Sequence, residues 1–316
     1  MVETREDKNN NKDMTSTEKE YISRIHKVLD YIDRNIDKDL NLETLSNIAC
    51  FSPFHFHRIF SSFVGETLNS FIKRIRIEKA ANILITNPDE SIINIALICG
   101  FSGQAVFSRA FKDKFKMSAK DFRKKYFTQK SKNNQIESKN HQEKNILLLY
   151  NENHNKSNLN YNVEVKIIPE LYVAYTRHIG DYRDIENNFK DILKWAEARD
   201  LLKRDDIKIL TVYHDNPKIT STDRLRSSAC VTIPERTETK GEICSMIISG
   251  GKFAVAHFEI NKDQFGEAWD ILCRDWLPES GYAPDDRFCY EVYNNDQREH
   301  PEKKFIIDIY FPIKPL

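Results

Sequence analysis

Between residues 21 and 127 apolar side chains recur every three or four positions, broken by short polar segments at which helix caps can be read. Ile22, Ile25, Val28, Leu29 and Ile32 predict a helix from Tyr21 to near Asn35. Asn41 caps a helix from Leu42 to Ala49, and Ser52 caps the next, with Pro53 at the first helical position, where its missing N–H costs nothing. From Thr67 to Thr86 a longer helix carries Leu68, Phe71, Ile72, Ile75, Ala80, Ile83 and Leu84 on its inner side and stops at Pro88. Ser91 caps another helix, and Ser118 with Asp121 opens a last short one ending near Tyr126.

This helical stretch repeats itself. Leu45 to Ser52 (LSNIACFS) lies fifty residues before Ile95 to Ser102 (IALICGFS), and the spacing becomes fifty-one after the shared Ser, where Phe56-His57-Arg58-Ile59-Phe60 corresponds to Phe107-Ser108-Arg109-Ala110-Phe111. Short helix, tight turn and second helix in tandem is an arrangement that reads DNA. The spacer helix of twenty residues spans about 30 Å, near the roughly 34 Å between successive major-groove faces.

The pattern changes after Thr128. Residues 128–160 are rich in Asn, Lys, Gln, Ser and Glu around one apolar island, Ile146 to Tyr150, and read as a linker; residues 1–19 read as a disordered tail. Residues 161–316 show β-rich runs (Val163 to Thr176, Ile207 to Tyr213, Ala229 to Ile233, Lys252 to Phe258, Phe288 to Tyr293, Phe305 to Phe311) around helices from Asp184 to Arg199 and from Lys262 to Leu277. Val173-Ala174 and Val212-Tyr213 recur eighty residues on as Phe253-Ala254 and Val292-Tyr293. The expected architecture is two domains, an all-α tandem helix-turn-helix at 20–127 and an α+β domain with a pseudo-twofold repeat at 161–316.

Charge sharpens this division. The formal net charge is zero, yet residues 21–127 hold 17 Lys/Arg against 11 Asp/Glu and residues 161–316 hold 22 against 28. A basic half suits a polyanion and an acidic half would be repelled by one, so the halves have different partners. The apolar runs are shorter than the roughly 20 residues that cross a bilayer, and no signal-peptide pattern opens the chain, so a cytoplasmic protein is expected. The six cysteines show no zinc spacing and read as reduced, mostly buried residues. No metal or cofactor is expected.

On the helix opening at Pro53, a 100° step groups Phe56, Ile59, Phe60 and Phe63 inward and leaves Phe54, His57, Arg58 and Ser61 outward. From Gly103 the same step sends Phe107, Ala110, Phe111 and Phe115 inward and Gln104, Ala105, Ser108, Arg109 and Lys112 outward. The outward sets are mostly cations and hydrogen-bond formers, the types that read base edges or hold phosphates. In the other half, Glu291 sits within the apolar run FCYEVY, either at a solvent-facing strand position or as a buried functional acid.

Ile95 to Lys112 (IALICGFSGQAVFSRAFK) and Phe51 to Phe60 (FSPFHFHRIF) resemble the AraC/XylS family of bacterial transcription regulators, over roughly residues 21–127. The resemblance implies two recognition helices presented by one chain to successive major grooves. Two departures are visible: Lys116-Met117-Ser118-Ala119 where that family usually has G-x-x-P, and Cys50 where a Gly is common.

Residues 161–316 resemble the GyrI-like effector-binding domain through RHIGDY from Arg177, VYHDNP from Val212, WLPESGY from Trp276, YEVYNND from Tyr290 and IYFPI from Ile309. That resemblance implies that Glu291 faces a ligand cleft, with Tyr213, Trp276 and Tyr293 in or near it; Tyr175 is a further candidate, and each ring serves equally well as core. An aromatic cage around a desolvated carboxylate suits an amphipathic cation. The order of the halves is similar to Rob-like members of the AraC/XylS group. It implies a bacterial, non-enzymatic regulator: an activator that works with RNA polymerase, binds its DNA as a monomer, is nucleoid-associated when bound, and responds to a small effector. The alternatives are a hydrolase of electrophilic small molecules, against which stands the lack of any nucleophile or metal constellation beside Glu291, and a protein-binding inhibitor.

Overall fold

The computed structural model describes residues 15–87, 89–128 and 159–315. The predicted linker, with its apolar island, falls almost wholly outside these residues, as do the first fourteen positions of the predicted tail. The end of that tail is helical: Thr15 accepts from the Glu18 N–H in a reciprocal capping box, so α1 runs Ser16–Arg34 and starts five residues before the apolar periodicity does.

Six further helices follow: α2 Leu42–Ile48, α3 Pro53–Val64, α4 Leu68–Thr86, α5 Ile92–Ile98, α6 Gln104–Phe115 and α7 Ala119–Thr128. Asn41, Ser52 and Ser91 each accept a backbone N–H from three residues on, as the sequence anticipates, and Thr67, expected inside its helix, does the same as a cap. Helix α4 joins two cores. Its first half packs Phe71, Ile72 and Ile75 against Ile25, Leu29, Leu45, Phe56 and Phe60. Its second half packs Ile77, Ala81 and Leu84 against Ile95, Phe107, Phe111 and Phe122. A continuous rod shared by both cores fixes the two helix-turn-helix units to each other.

The turns between α2 and α3 and between α5 and α6 use left-handed residues at matching places, Cys50 (φ 53°) and Gly100 (φ 76°). A β-carbon on Gly100 would lie 2.4 Å from the Ile36 carbonyl and close to Arg76, so only Gly fits there. Arg76 donates to the Ile36 and Lys38 carbonyls at 3.0 and 2.7 Å, tying α4 to the turn after α1. Helices α3 and α6 also end alike, at Gly65 and Lys116 in the left-handed region.

The second half is an antiparallel sheet of nine strands: β1 Tyr161–Ile168, β2 Leu171–Ile179, β3 Ile209–Tyr213, β4 Arg226–Thr232, β5 Cys244–Ile248, β6 Gly251–Ile260, β7 Tyr282–Pro284, β8 Cys289–Tyr293 and β9 Phe305–Pro315. Its order is β1-β6-β9-β8-β3-β4-β2-β5, with β7 paired to β9. The run predicted as one strand from Val163 to Thr176 is two, broken at Pro169-Glu170, and the sequence patterns missed β5 and β7. Helix α8 (Glu186–Glu197) and the six-residue α9 (Phe265–Asp270) lie on one face. Helix α9 continues as a π-helical stretch, Ile271–Trp276, and a 3₁₀ turn, Leu277–Glu279, in place of the single predicted helix.

The opposite face meets the helical half. Buried Ser23 and His26 and half-buried Asp30 and Asp33 form a second stripe on α1, turned towards β2, β4 and β5. Asp30 accepts from the Tyr175 hydroxyl (2.6 Å) and from Arg177 (2.5 Å). Asp33 accepts from Arg226 at 3.0 Å, and Arg226 also makes a two-pronged pair with Asp215 at 2.8 and 2.9 Å. Further along, Glu78 accepts from Thr220 and Glu66 from Arg224, at 2.9 and 3.0 Å. Burial pushes the Asp33 carboxyl up despite its arginines, and burial beside Arg177 holds His26 down at about 3 and His214 well below the ordinary imidazole range.

Candidate nucleic-acid interface and effector cleft

On α3 the inward Phe56 and Phe60 are fully buried, while Phe54, His57 and Arg58 are exposed, Phe54 to 69%. An apolar ring that open on a helix is costly in water unless something covers it. Ser61 departs from the expectation: it is half-buried and its hydroxyl is screened from solvent, because it falls on the flank of α3 that turns towards the core. On α6, Gln104, Ala105, Ser108, Arg109 and Lys112 are all exposed. Arg58 lies 5.9 Å from the Phe54 ring, and neither it nor Arg109 has an acidic partner among the described residues. Their guanidinium charge is free for an outside anion. His55 and Val106, equivalent positions one step from the outward sets, are exposed too; Val106 escaped the sequence reading because it is apolar on an otherwise polar side.

The candidate effector site lies across β3 and β8, which pair Thr211 with Glu291 and Tyr213 with Cys289. Residues 211, 213, 291 and 293 therefore share one face of the sheet, beneath α8 and α9. Glu291 is fully buried. Its carboxylate accepts from the Tyr213 hydroxyl at 2.8 Å, the Tyr293 hydroxyl at 3.2 Å and the Trp269 indole N–H, and Thr211 bonds Tyr293 at 2.9 Å. No Lys, Arg or His pairs with it among the described residues. Burial pushes its pKa up from 4.5 to about 6, against the pull of the three donors.

Half-buried rings surround the carboxylate. Tyr213 meets Tyr182 and Trp269 edge-on at 4.8 and 5.6 Å, and Tyr293 meets Phe189 at 5.5 Å and Phe265 at 6.4 Å. The structure thus brings Glu291, Tyr213 and Tyr293 together. Among the described residues no hydrogen bond or ring contact joins Trp276 to them: its ring packs against the core of β6, β9 and the π-helical stretch, which Trp269 and Tyr293 also touch, and it is Trp269, which the sequence pattern did not mark, that bonds Glu291. Tyr175 is corrected as well, since strand alternation puts it on the other face, where it is fully buried against Asp30 and His26.

Among the described residues no group of three His, Cys, Asp or Glu side chains could hold a metal ion, and no helix is long and apolar enough to cross a membrane. The cysteines are free; Cys50 is exposed and Cys289 half-buried, the others buried.

Residues 45–125 match the family model of a helix-turn-helix domain, and residues 161–314 that of a GyrI-like small molecule binding domain. The chain is 35% identical over 121 residues to the uncharacterized HTH-type transcriptional regulator YbfP of Bacillus subtilis, covering 38% of this chain and 41% of that protein. It is 34% identical over 101 residues to the probable transcription factor PqrA of Proteus vulgaris, covering 31% of this chain and 82% of that one. With a DNA gyrase inhibitor of Pectobacterium carotovorum it shares 30% identity over 135 residues, 42% of this chain and 85% of that one. A tandem pair of capped helix-turn-helix units with open outer faces, joined to a sheet that buries a carboxylate among aromatic rings, places the chain in the AraC-type helix-turn-helix transcription regulators that carry a C-terminal GyrI-like small-molecule-binding domain.

Proposed function

We propose that the effector is a hydrophobic cation that binds over Glu291 among Tyr213, Trp269 and Tyr293. The observation that carries this reading is a fully buried, cation-free carboxylate ringed by aromatics. A positive charge on the ring faces regains from the quadrupoles and the anion what it loses in hydration. Neutral ligands gain only the apolar contact. Trp269 now donates to Glu291 from a short helix that runs into a π-helical stretch, a local geometry often found at functional sites, and the positive charge of the effector would stand in for that indole N–H beside the carboxylate.

DNA is read by Phe54, His57 and Arg58 on α3 and by Gln104, Ala105, Ser108, Arg109 and Lys112 on α6, in successive major grooves. Residues 20–127 act as the reader and residues 161–316 as the sensor. One chain carries both recognition helices and fills a site as a monomer. It acts in the cytoplasm, on the nucleoid when bound, and activates by contacting RNA polymerase. Strand order β6-β9-β8 against β2-β4-β3 is what two copies of one folding unit would give. The route from cleft to reader is short: Tyr213 lines the cleft, and the next residues, His214 and Asp215, reach the arginine that grips Asp33 of α1.

The test is a fluorescence titration of the full chain with a benzyl-trialkylammonium ion and with its neutral carbon isostere. Glu291→Gln should weaken the cation at least about tenfold more than the isostere. Equal losses for both would remove the charge role.

A further inference from the structure

Strand β1 is one edge of the sheet: its inner side pairs with β6 over all eight residues, and no described strand pairs with its outer side. The other edge, β5, is shorter and partly covered, since Ser23 of α1 reaches Cys244 and Lys19 pairs with Glu242 beside it. Nothing described does this for β1. Its apolar face is also open, with Ile167 73%, Tyr161 44% and Val165 41% exposed. Native sheets usually blunt such an edge with short strands, prolines, bulges or inward charges, and this strand is long, unbroken by Pro and regularly paired throughout.

The sequence of the strand, YNVEVKII, is self-complementary. In an antiparallel pair of two copies with the twofold axis at Val165, Glu164 of each copy stands opposite Lys166 of the other. Val163 then stands opposite Ile167, and Val165 opposite itself. One face of the joint becomes a continuous apolar stripe and the other carries two ion pairs. Centring the pair on Glu164 or on Lys166 would instead put like charges face to face, which is destabilising. Among the described residues of a single chain Glu164 and Lys166 form an ion pair with each other at 2.5 Å, Glu164 also accepting from Asn162 at 3.5 Å, and both are about half exposed and open to a partner.

We infer that β1 is a homodimer interface, in which two copies of this chain join their sheets edge to edge through the register centred on Val165. Each protomer keeps its own pair of reading helices, so the dimer carries two DNA sites. Binding of the second becomes intramolecular once the first is engaged, and the gain is an effective concentration with no new protein–DNA contact. The interface is independent of Glu291 and stands or falls apart from the effector reading.

Sedimentation equilibrium of the full chain tests it, with Glu164→Lys, Lys166→Glu and the double swap, each checked for an unchanged thermal transition. Each single reversal sets like charges opposite at both symmetry-related positions and is expected to weaken dimerisation at least about tenfold; the double swap restores opposite charges and should return to within about threefold of the parent. A parent protein that stays monomeric at about 100 µM overturns the inference, because the edge is then covered within the chain. So does a dimer indifferent to the single reversals, which must use another surface, or a double swap as weak as the singles.

Discussion

Glu291 offers a way to separate a ligand-binding carboxylate from a structural one, through the stability of Glu291→Gln as a function of pH. The folded pKa is about 6 against an ordinary 4.5, a difference worth on the order of 2 kcal/mol at about 1.4 kcal/mol per unit. The sign follows from which state holds the proton more tightly. Here the folded state does, so the charged carboxylate opposes folding; the penalty is fully present above the folded pKa of about 6 and disappears as pH falls below the unfolded 4.5. Glutamine has the same shape and no charge. With its carbonyl in the Oε1 place it keeps the Trp269 indole, and its amide donates to the phenol oxygens at the Oε2 place; Tyr293 can turn its hydroxyl to Thr211, while the Tyr213 hydroxyl loses its acceptor, a cost that does not depend on pH.

The stability of the variant relative to the parent should therefore rise by roughly 2 kcal/mol between about pH 4.5 and pH 8. Urea denaturation of both proteins across that range measures it, and only the difference between them matters. His26 and His214, buried neutral, lose stability as pH falls and contribute equally to both curves. A pH-independent difference, or one that falls as pH rises, would refute the reasoning, since the charge would then be holding the fold together. A protein that stabilises on losing this charge is keeping the charge for something other than folding.

Other perturbations give equally definite outcomes. Cys50→Gly and Lys116→Gly relieve left-handed backbone at non-glycine residues and should each raise stability by about 0.5–1 kcal/mol in thermal unfolding, after the unfolded-state entropy of Gly is subtracted. Arg58→Ala and Arg109→Ala should each weaken binding to a selected DNA site with the melting temperature unchanged, and flatten the salt dependence by about one ion if the contact is to phosphate; unchanged affinity for both would reject the assigned face.

The helical half was legible because each of its helices has one apolar side and a cap of standard chemistry. Its second contact surface was not. Asp30, Asp33 and His26 fall on the polar side of α1, and polar residues at helical spacing read as solvated. They become interior only because Arg177 and Arg226, some 150 to 190 residues away in sequence, fold back over them. In the sheet half, alternation shows which residues share a face without showing which face holds the cleft. Strand β2 is buried on both sides over Val173 to Arg177, so Tyr175 and its neighbours carry no mark of direction.

Trp276 was misplaced for a related reason. In an unbroken α-helix it would lie seven residues, almost two full turns, beyond Trp269 and on the same side. The π-helical bonding from Ile271 to Trp276 turns the chain through less per residue, so the two indoles part. Trp269 keeps the carboxylate and Trp276 is left in the core. The resemblance thus placed Trp276 in or near the cleft, whereas Trp269 bonds the acid, and helical phase does not relate the two because it is lost wherever hydrogen bonding changes register. In this chain that change falls immediately after the indole that bonds the buried acid. A single-residue deletion in Ile271–Trp276, which tightens the stretch to α-helical bonding, shifts the helical register just after Trp269 and should change the fluorescence response to cations. An unaltered response would mean that the π-helical stretch has no part in positioning Trp269.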